Sequence, residues 1–164
     1  RAHFTPGHAP DHTCWSLEEE GTLFSGDNVL GAGTVIVPAD GGSMRLYLQS
    51  LRRLAGRDWA AIFPGHGPPI RGRAARQAIV EYIGHREQRE TQILHVLDRL
   101  GSGGASPPEL VHALYADKVL SFELRQAAAE TVYNHLLFLH EKGQARPMLS
   151  ASSTTGLASR WIRG

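Results

Sequence analysis

Three short segments of this 164-residue chain end in a side chain that binds metal well. Phe4-Thr5-Pro6-Gly7-His8, Phe24-Ser25-Gly26-Asp27 and Phe63-Pro64-Gly65-His66 each pass from an apolar residue through small or rigid ones to an imidazole or a carboxylate. Glycine lets the backbone turn tightly against a neighbour. Proline fixes φ, so less entropy is lost when the turn orders. A ligand on so stiff a loop at a strand end is held to the small tolerance a metal demands. Two imidazoles and one carboxylate, His8, His66 and Asp27, suit zinc, with iron or manganese as alternatives. A carboxylate has two oxygens that two ions can share, which makes Asp27 the natural bridge. Each segment also has a plainer reading. A Gly-His pair is commonly only a turn, and Asp27, between Ser25-Gly26 and Asn28, would cap one. Three such segments, each after a strand, are harder to dismiss.

The elements that must position them alternate between strand and helix. Thr13–Glu18 and Thr22–Ser25 read as strands joined through Glu19-Glu20-Gly21 as a hairpin. Residues 31–42 read as a long loop. Ser43 caps a helix over Met44–Ala55, with Leu48, Leu51 and Leu54 at helical spacing and a stop at Gly56. Asp58–Phe63 reads as a strand entering the third segment. The pattern is α/β. From Arg76 to Leu100 the spacing predicts one long helix whose middle, His85–Glu90, is polar and which bridges two packing environments. Ser106-Pro107-Pro108-Glu109 opens a second helix running to about Ala116. Phe122–Lys142 is a third, and the last twenty or so residues read as a two-stranded wing around a turn at 150–156.

Composition is that of a globular chain, 41% hydrophobic and 20% charged, and no apolar run approaches the roughly 20 residues of a membrane helix. Seventeen basic residues against sixteen acidic ones carry no signature of nucleic-acid binding. One cysteine, Cys14, excludes an internal disulfide framework. It fits a reducing compartment, intracellular and either cytoplasmic or mitochondrial, and the sequence names no one location. A start at Arg1, without Met or a signal-like segment, reads as a fragment.

TPGHAPDH, FSGDNVLG and IFPGHGPPI, in that order, resemble the third, fourth and fifth motifs of the metallo-β-lactamase superfamily. HREQRETQIL and the later helices resemble the C-terminal part of its β-lactamase-like protein 2 subgroup, which joins a hydrolase domain to a small winged-helix domain. The resemblance covers about residues 3–145. It implies the C-terminal part of a metallo-β-lactamase αββα sandwich over residues 1–75, then an all-α winged-helix-like domain over 76–164. It further implies two zinc ions in the intact parent, with His8 on one, His66 on the other and Asp27 bridging. The family's His-x-His-x-Asp-His motif is missing, so more than half of the usual ligands are absent. A chain inactive alone, with an exposed sheet surface open to self-association, is the consequence.

The remaining candidates are weaker. His12 is a structural tie for its loop, or else a second group contacting ligand or substrate; Asp11 shares that loop. Cys14 has no basic neighbour and reads as a small buried hydrophobe. His85 and Arg86 could meet an anionic substrate, but a solvated or salt-bridged helix face fits better. In the third helix Arg125, Gln126, Asn134 and Lys142 are the side chains a groove-reading helix would use, offset by Glu123, Glu130 and Glu141. Arg160 and Arg163 read as a mobile tail. The function expected is a metal-dependent hydrolase. Its leading form is an endoribonuclease on single-stranded RNA, with a thioesterase or hydroxyacylglutathione-hydrolase-like enzyme as the alternative. A non-catalytic winged-helix interaction module is the third possibility. No residue is assigned as the leaving-group acid. The partners expected are a small-molecule ester or thioester, or single-stranded RNA; duplex DNA is disfavoured.

Overall fold

Thr13-Cys-Trp-Ser-Leu17 and Thr22-Leu-Phe-Ser-Gly26 alternate side chains between two faces, as a strand requires. A computed structural model of the protein, describing residues 1–148 and 156–164, forms them into β2 (Thr13–Leu17) and β3 (Thr22–Gly26) of a five-stranded sheet. The others are β1 (Ala2–Phe4), β4 (Ala61–Pro64) and β5 (Ile70–Arg71), and the spatial order follows the chain. β1–β2, β2–β3 and β4–β5 are antiparallel, whereas β3–β4 is parallel. It follows that β1, β3 and β4 run the same way, so all three end at one edge of the sheet.

Cys14, Leu23 and Ile62 are buried on one face of the sheet, and helix α1 (Met44–Ala55) supplies further core residues. The Ser43 hydroxyl caps that helix by accepting from Leu46 N at 3.3 Å, which satisfies one of its free N–H groups. Tyr47, Leu48, Leu51 and Leu54 are fully buried or nearly so, each stabilising by about 1.5–3 kcal/mol relative to exposure. The same helix grips the first segment: Ser43 N donates to Gly7 O at 2.8 Å and Ser50 Oγ to Pro6 O at 2.8 Å.

The opposite face is apolar too. Trp15, Phe24 and Phe63 stand in register across β2, β3 and β4, and the two phenylalanine rings stack at 5.5 Å. Phe4, Trp15, Leu17 and Phe24 are exposed, where an antiparallel sheet facing water would carry polar residues.

Two details of this region differ from expectation. The fourth strand starts at Ala61 rather than Asp58, because Trp59 turns into the core and its Nε1 donates to Leu54 O at 2.8 Å. Strand β5 has two residues, too few to leave a periodic signal.

Helix α2 (Arg73–Leu100) begins three residues earlier than the spacing predicts and is shared between two compact units. One comprises Arg1–Val35 and Gly41–Arg86; the other comprises Ile36–Asp40 and Glu87–Gly164. The polar middle of the helix is mixed: His85, Glu87 and Gln88 are exposed, as a solvated face requires, whereas Arg86 and Glu90 turn inward. Arg86 is buried, donates to Val35 O and lies 5.2 Å over the Tyr47 ring, which leaves it no anionic substrate to meet. Glu90 is also buried, paired with Lys142 at 2.7 Å. Among the described residues no helix is long and apolar enough to cross a membrane.

In the second unit, Ile93 and Leu97 pack with α3 (Pro107–Leu114), α4 (Phe122–Glu141) and the antiparallel pair β6 (Ala145–Pro147) and β7 (Trp161–Arg163). Trp161 closes this core. Residues 150–155 of the expected turn lie outside those described. Asn134 is buried and donates to Val37 O and Pro38 O, so it is unavailable to a nucleic-acid groove. Arg160 and Arg163 are no mobile tail: Arg160 pairs with Glu109 at 2.8 Å and bonds the Gly103 and Gly104 carbonyls, and Arg163 pairs with Asp98 at 3.3 Å.

Glu109 also completes a capping box, accepting from Ser106 N at 2.7 Å. That bond first, then Arg160, holds its carboxyl below the usual carboxylate range. The unfolded chain therefore binds this proton more readily. The contribution is present above the unfolded pKa near 4.5 and lost as pH falls through the lower folded value. In urea denaturation, Glu109→Gln should cost about 1 kcal/mol or less near neutral pH, since the group is half-exposed, and progressively less as the carboxyl is protonated in acid.

Candidate metal centre

The shared edge of β1, β3 and β4 is where the three segments emerge. Gly26 and Pro64 are register partners on the parallel pair, so the chains that follow leave side by side. Gly65 N donates to Gly26 O at 2.8 Å and Gly31 N to His66 O at 2.9 Å, fastening the two loops together. A Cβ at position 65 would sit 2.7 Å from Asp27 Oδ1, so any side chain there would push that carboxylate aside. β1 is separated from β3 by one strand, and the Thr5–His8 loop reaches across that gap, held by α1.

His8 Nε2 lies 3.9 Å from Asp27 Oδ2, and His66 Nε2 lies 3.6 Å from Asp27 Oδ1. Asp27 thus turns one oxygen to each imidazole. Oδ1 is buried from solvent without a hydrogen-bond partner. Both separations are longer than a hydrogen bond, but they suit two donors on one cation with bonds of about 2.0–2.2 Å. Among the described residues no cluster of three or more His, Cys, Asp or Glu closes on one point. The arrangement is two donor pairs that share a carboxylate, which fits a pair of ions rather than one. His66 is the open side, 78% exposed, whereas His8 is 28% exposed.

His12 faces inward behind Asp27. Its Nε2 accepts from Asp27 N at 3.2 Å, so the ring proton belongs on Nδ1, which meets Thr5 Oγ1 at 2.9 Å. Only neutral imidazole can make both bonds. Burial first, then the neighbouring His8, lowers the His12 pKa, in keeping with that neutral form. Cys14 is buried against Thr5, and burial raises its thiol pKa, which makes it a poor nucleophile. Asp11 is exposed and points to none of these groups in the bonds described. His85 is exposed on α2.

The sequence reading missed three supports. Asn28 Nδ2 donates to Thr5 O at 3.0 Å, Tyr47 OH donates to Asn28 O at 2.8 Å, and Thr5 joins both to His12. Asn28 follows Asp27 directly, the one cue available; Tyr47 looks like any apolar position of α1. Replacing His12 by Ala removes the acceptor that fixes the Asp27 backbone. Metal affinity, measured by titration against a chelating indicator, should fall about 10- to 100-fold, as for lost supports of ligands elsewhere. His12→Gln, which retains an acceptor, should recover part of it.

Residues 1–66 match the family described as the Metallo-beta-lactamase superfamily. Across the whole chain, the crystal structure of a metallo-beta-lactamase family protein from Thermus thermophilus superposes with a TM-score of 0.75 at 32% identity, covering 49% of that protein. Residues 1–66 belong to the metallo-β-lactamase superfamily. The Drosophila melanogaster "Beta-lactamase-like protein 2 homolog" is 37% identical over 147 residues, 90% of this chain and 47% of its own. An Aspergillus fumigatus protein named "Atrochrysone carboxyl ACP thioesterase" is 36% identical over 124 residues, 70% of this chain and 38% of its own. The chain therefore spans less than half the length of these curated relatives. Around the match at residues 1–66 the chain carries an α/β unit with a helical C-terminal part.

Proposed function

We propose that the chain supplies one side of the metal centre of a hydrolase that cleaves a small-molecule acyl thioester. One observation carries the reading: a single carboxylate, Asp27, presents its two oxygens to two imidazoles at one sheet edge. His8 with Asp27 would hold one ion and His66 with Asp27 the other, zinc being the best match to nitrogen and carboxylate donors. Bound there, the ions would supply Lewis acidity that polarises the scissile carbonyl and makes water more acidic. Asp27 neutralises that positive charge, His12 holds the Asp27 backbone in place, and the exposed His66 marks the side from which substrate arrives. The thioester is favoured by the name of the Aspergillus fumigatus relative.

Residues 1–75 are proposed as the C-terminal part of the hydrolase domain and 76–164 as a winged-helix-like domain, the latter supported by three helices followed by the β6–β7 pair. Self-association through the exposed Trp15–Phe24–Phe63 face is part of the same proposal. Single-stranded RNA cleavage is the second reading, favoured by the similarity to the β-lactamase-like protein 2 homologue along 90% of the chain. Acidic and basic residues nearly balance after residue 76, which suits a thioester better than a polyanion.

The test uses the full-length, zinc-loaded protein containing this chain, with an acyl thioester and an RNA oligomer assayed side by side. Thioester turnover that His66→Ala reduces at least about tenfold through lost metal is expected. RNA cleavage without thioester turnover overturns the substrate assignment, and activity untouched by chelation overturns the metal reading.

A further inference from the structure

The second unit holds a cavity that the donor pairs do not use. It lies between α3 and the start of α4, encloses about 520 Å³, and has Val111, Leu120, Ala129 and Leu157 in its wall. That volume is in the range of small-molecule sites. His112, Lys118 and Arg125 are polar members of the same wall, and no carboxylate lines it among the described residues. Asp117 and Glu123 are neighbours in sequence but are not part of the lining. Three other cations of this unit pair with carboxylates: Lys142 with Glu90, Arg160 with Glu109, Arg163 with Asp98. Arg125 instead donates to the Leu120 carbonyl, and Lys118 lies 5.9 Å over the Tyr115 ring.

An apolar cavity with cations and no acids is complementary to a chain that is greasy at one end and negative at the other. We propose that this cavity binds an aliphatic acyl chain carrying an anionic head group, with the chain against Val111 and Ala129 and the head group at Lys118 and Arg125. Phe122, 69% exposed beside the cavity, would lose its contact with water when the chain enters. Single-stranded nucleic acid fits less well, because it stacks successive bases on several aromatic faces and Phe122 is the one exposed Phe, Tyr or Trp in this wall among the described residues. Tyr115 is already occupied, with the Arg89 guanidinium 4.5 Å from its ring. The proposal rests on the second unit alone and stands whether or not the first is a thioesterase.

Calorimetric titration of the 164-residue chain with straight-chain carboxylates from hexanoate to dodecanoate tests it. Affinity should rise up to about fourfold per added methylene and level off once the cavity is full. Decanoate should bind more tightly than decan-1-ol. The double variant Lys118→Glu/Arg125→Glu should weaken decanoate by about tenfold and leave decan-1-ol unchanged. Gln126→Trp, a change at an exposed position of the wall, should block both. Thermal melts confirm that the variants fold. Decyl phosphate run beside decanoate identifies the source of the head group, and preference for either supports the assignment. No dependence on chain length, equal binding of acid and alcohol, or displacement of decanoate by an RNA oligomer overturns it.

Discussion

Asp27→Asn in the full-length, zinc-loaded protein is expected to lower thioester hydrolysis about a thousandfold while leaving the fold intact. The amide keeps the shape of the side chain but removes its charge and one of its two acceptor oxygens, so it cannot serve both imidazole positions. Losing the charge stabilisation that bound metal provides removes several kcal/mol, and each 1.36 kcal/mol is tenfold in rate. Little else depends on this carboxylate: Oδ1 makes no hydrogen bond, and Oδ2 is 3.9 Å from its nearest imidazole nitrogen. The metal-free variant should therefore unfold within about 0.5 kcal/mol of the parent. Elemental analysis, rate and melting temperature together separate the cases. Full activity with full metal content in the Asn variant would sink the bridging role.

Gly7→Ala should unfold the first unit or come close to it, at a cost of about 4 kcal/mol or more. Residue 7 has φ of 140°, which L side chains rarely adopt, and a Cβ there would overlap the Tyr47 backbone. Neither side can yield. Tyr47 is fully buried and bonded through N to Ser43 O, while Gly7 O and Pro6 O are held by Ser43 and Ser50. Domains of this size have only about 5–15 kcal/mol of stability. Gly84→Ala is the control of opposite sign: it lies in α2 with nothing within 4 Å of a new Cβ, so it should stabilise by about 0.5–1 kcal/mol. Urea denaturation of both variants gives the comparison. A Gly7→Ala protein as stable as the parent would mean that the first segment does not dock against α1 in this way.

Local chemistry made much of the fold legible. The Ser43 cap and the leucine spacing predict Met44–Ala55, and those are the bounds found. The alternation in β2 and β3 and the acidic turn between them are equally local, as is the Ser106-Pro-Pro-Glu start of α3. What failed depended on partners distant in sequence. Nothing in HREQRE says that Arg86 will find the Val35 carbonyl and the Tyr47 ring, because an isolated arginine on a helix is normally solvated. Arg160 gives no hint that Glu109 lies opposite. Trp59 left its strand for one carbonyl on α1. For the site, residue types named the donors, but the strand directions that bring them to one edge come from the β3–β4 pairing. The same holds for the residues behind them: His12 was visible as a histidine, whereas its bond to Asp27 N required the folded loops.

Trp15, Trp59 and Trp161 are placed so that each senses something different. Trp59 and Trp161 are 2% and 3% exposed, one in the core of each unit, and Trp15 is 58% exposed on the bare sheet face. Indole emission shifts to the red when its surroundings become wet. A chain with Trp15 and Trp161 changed to Phe would therefore report melting of the first unit by fluorescence, and one with Trp15 and Trp59 changed would report the second. Trp15 alone, already red-shifted in the folded chain, would turn blue only when something covers that face.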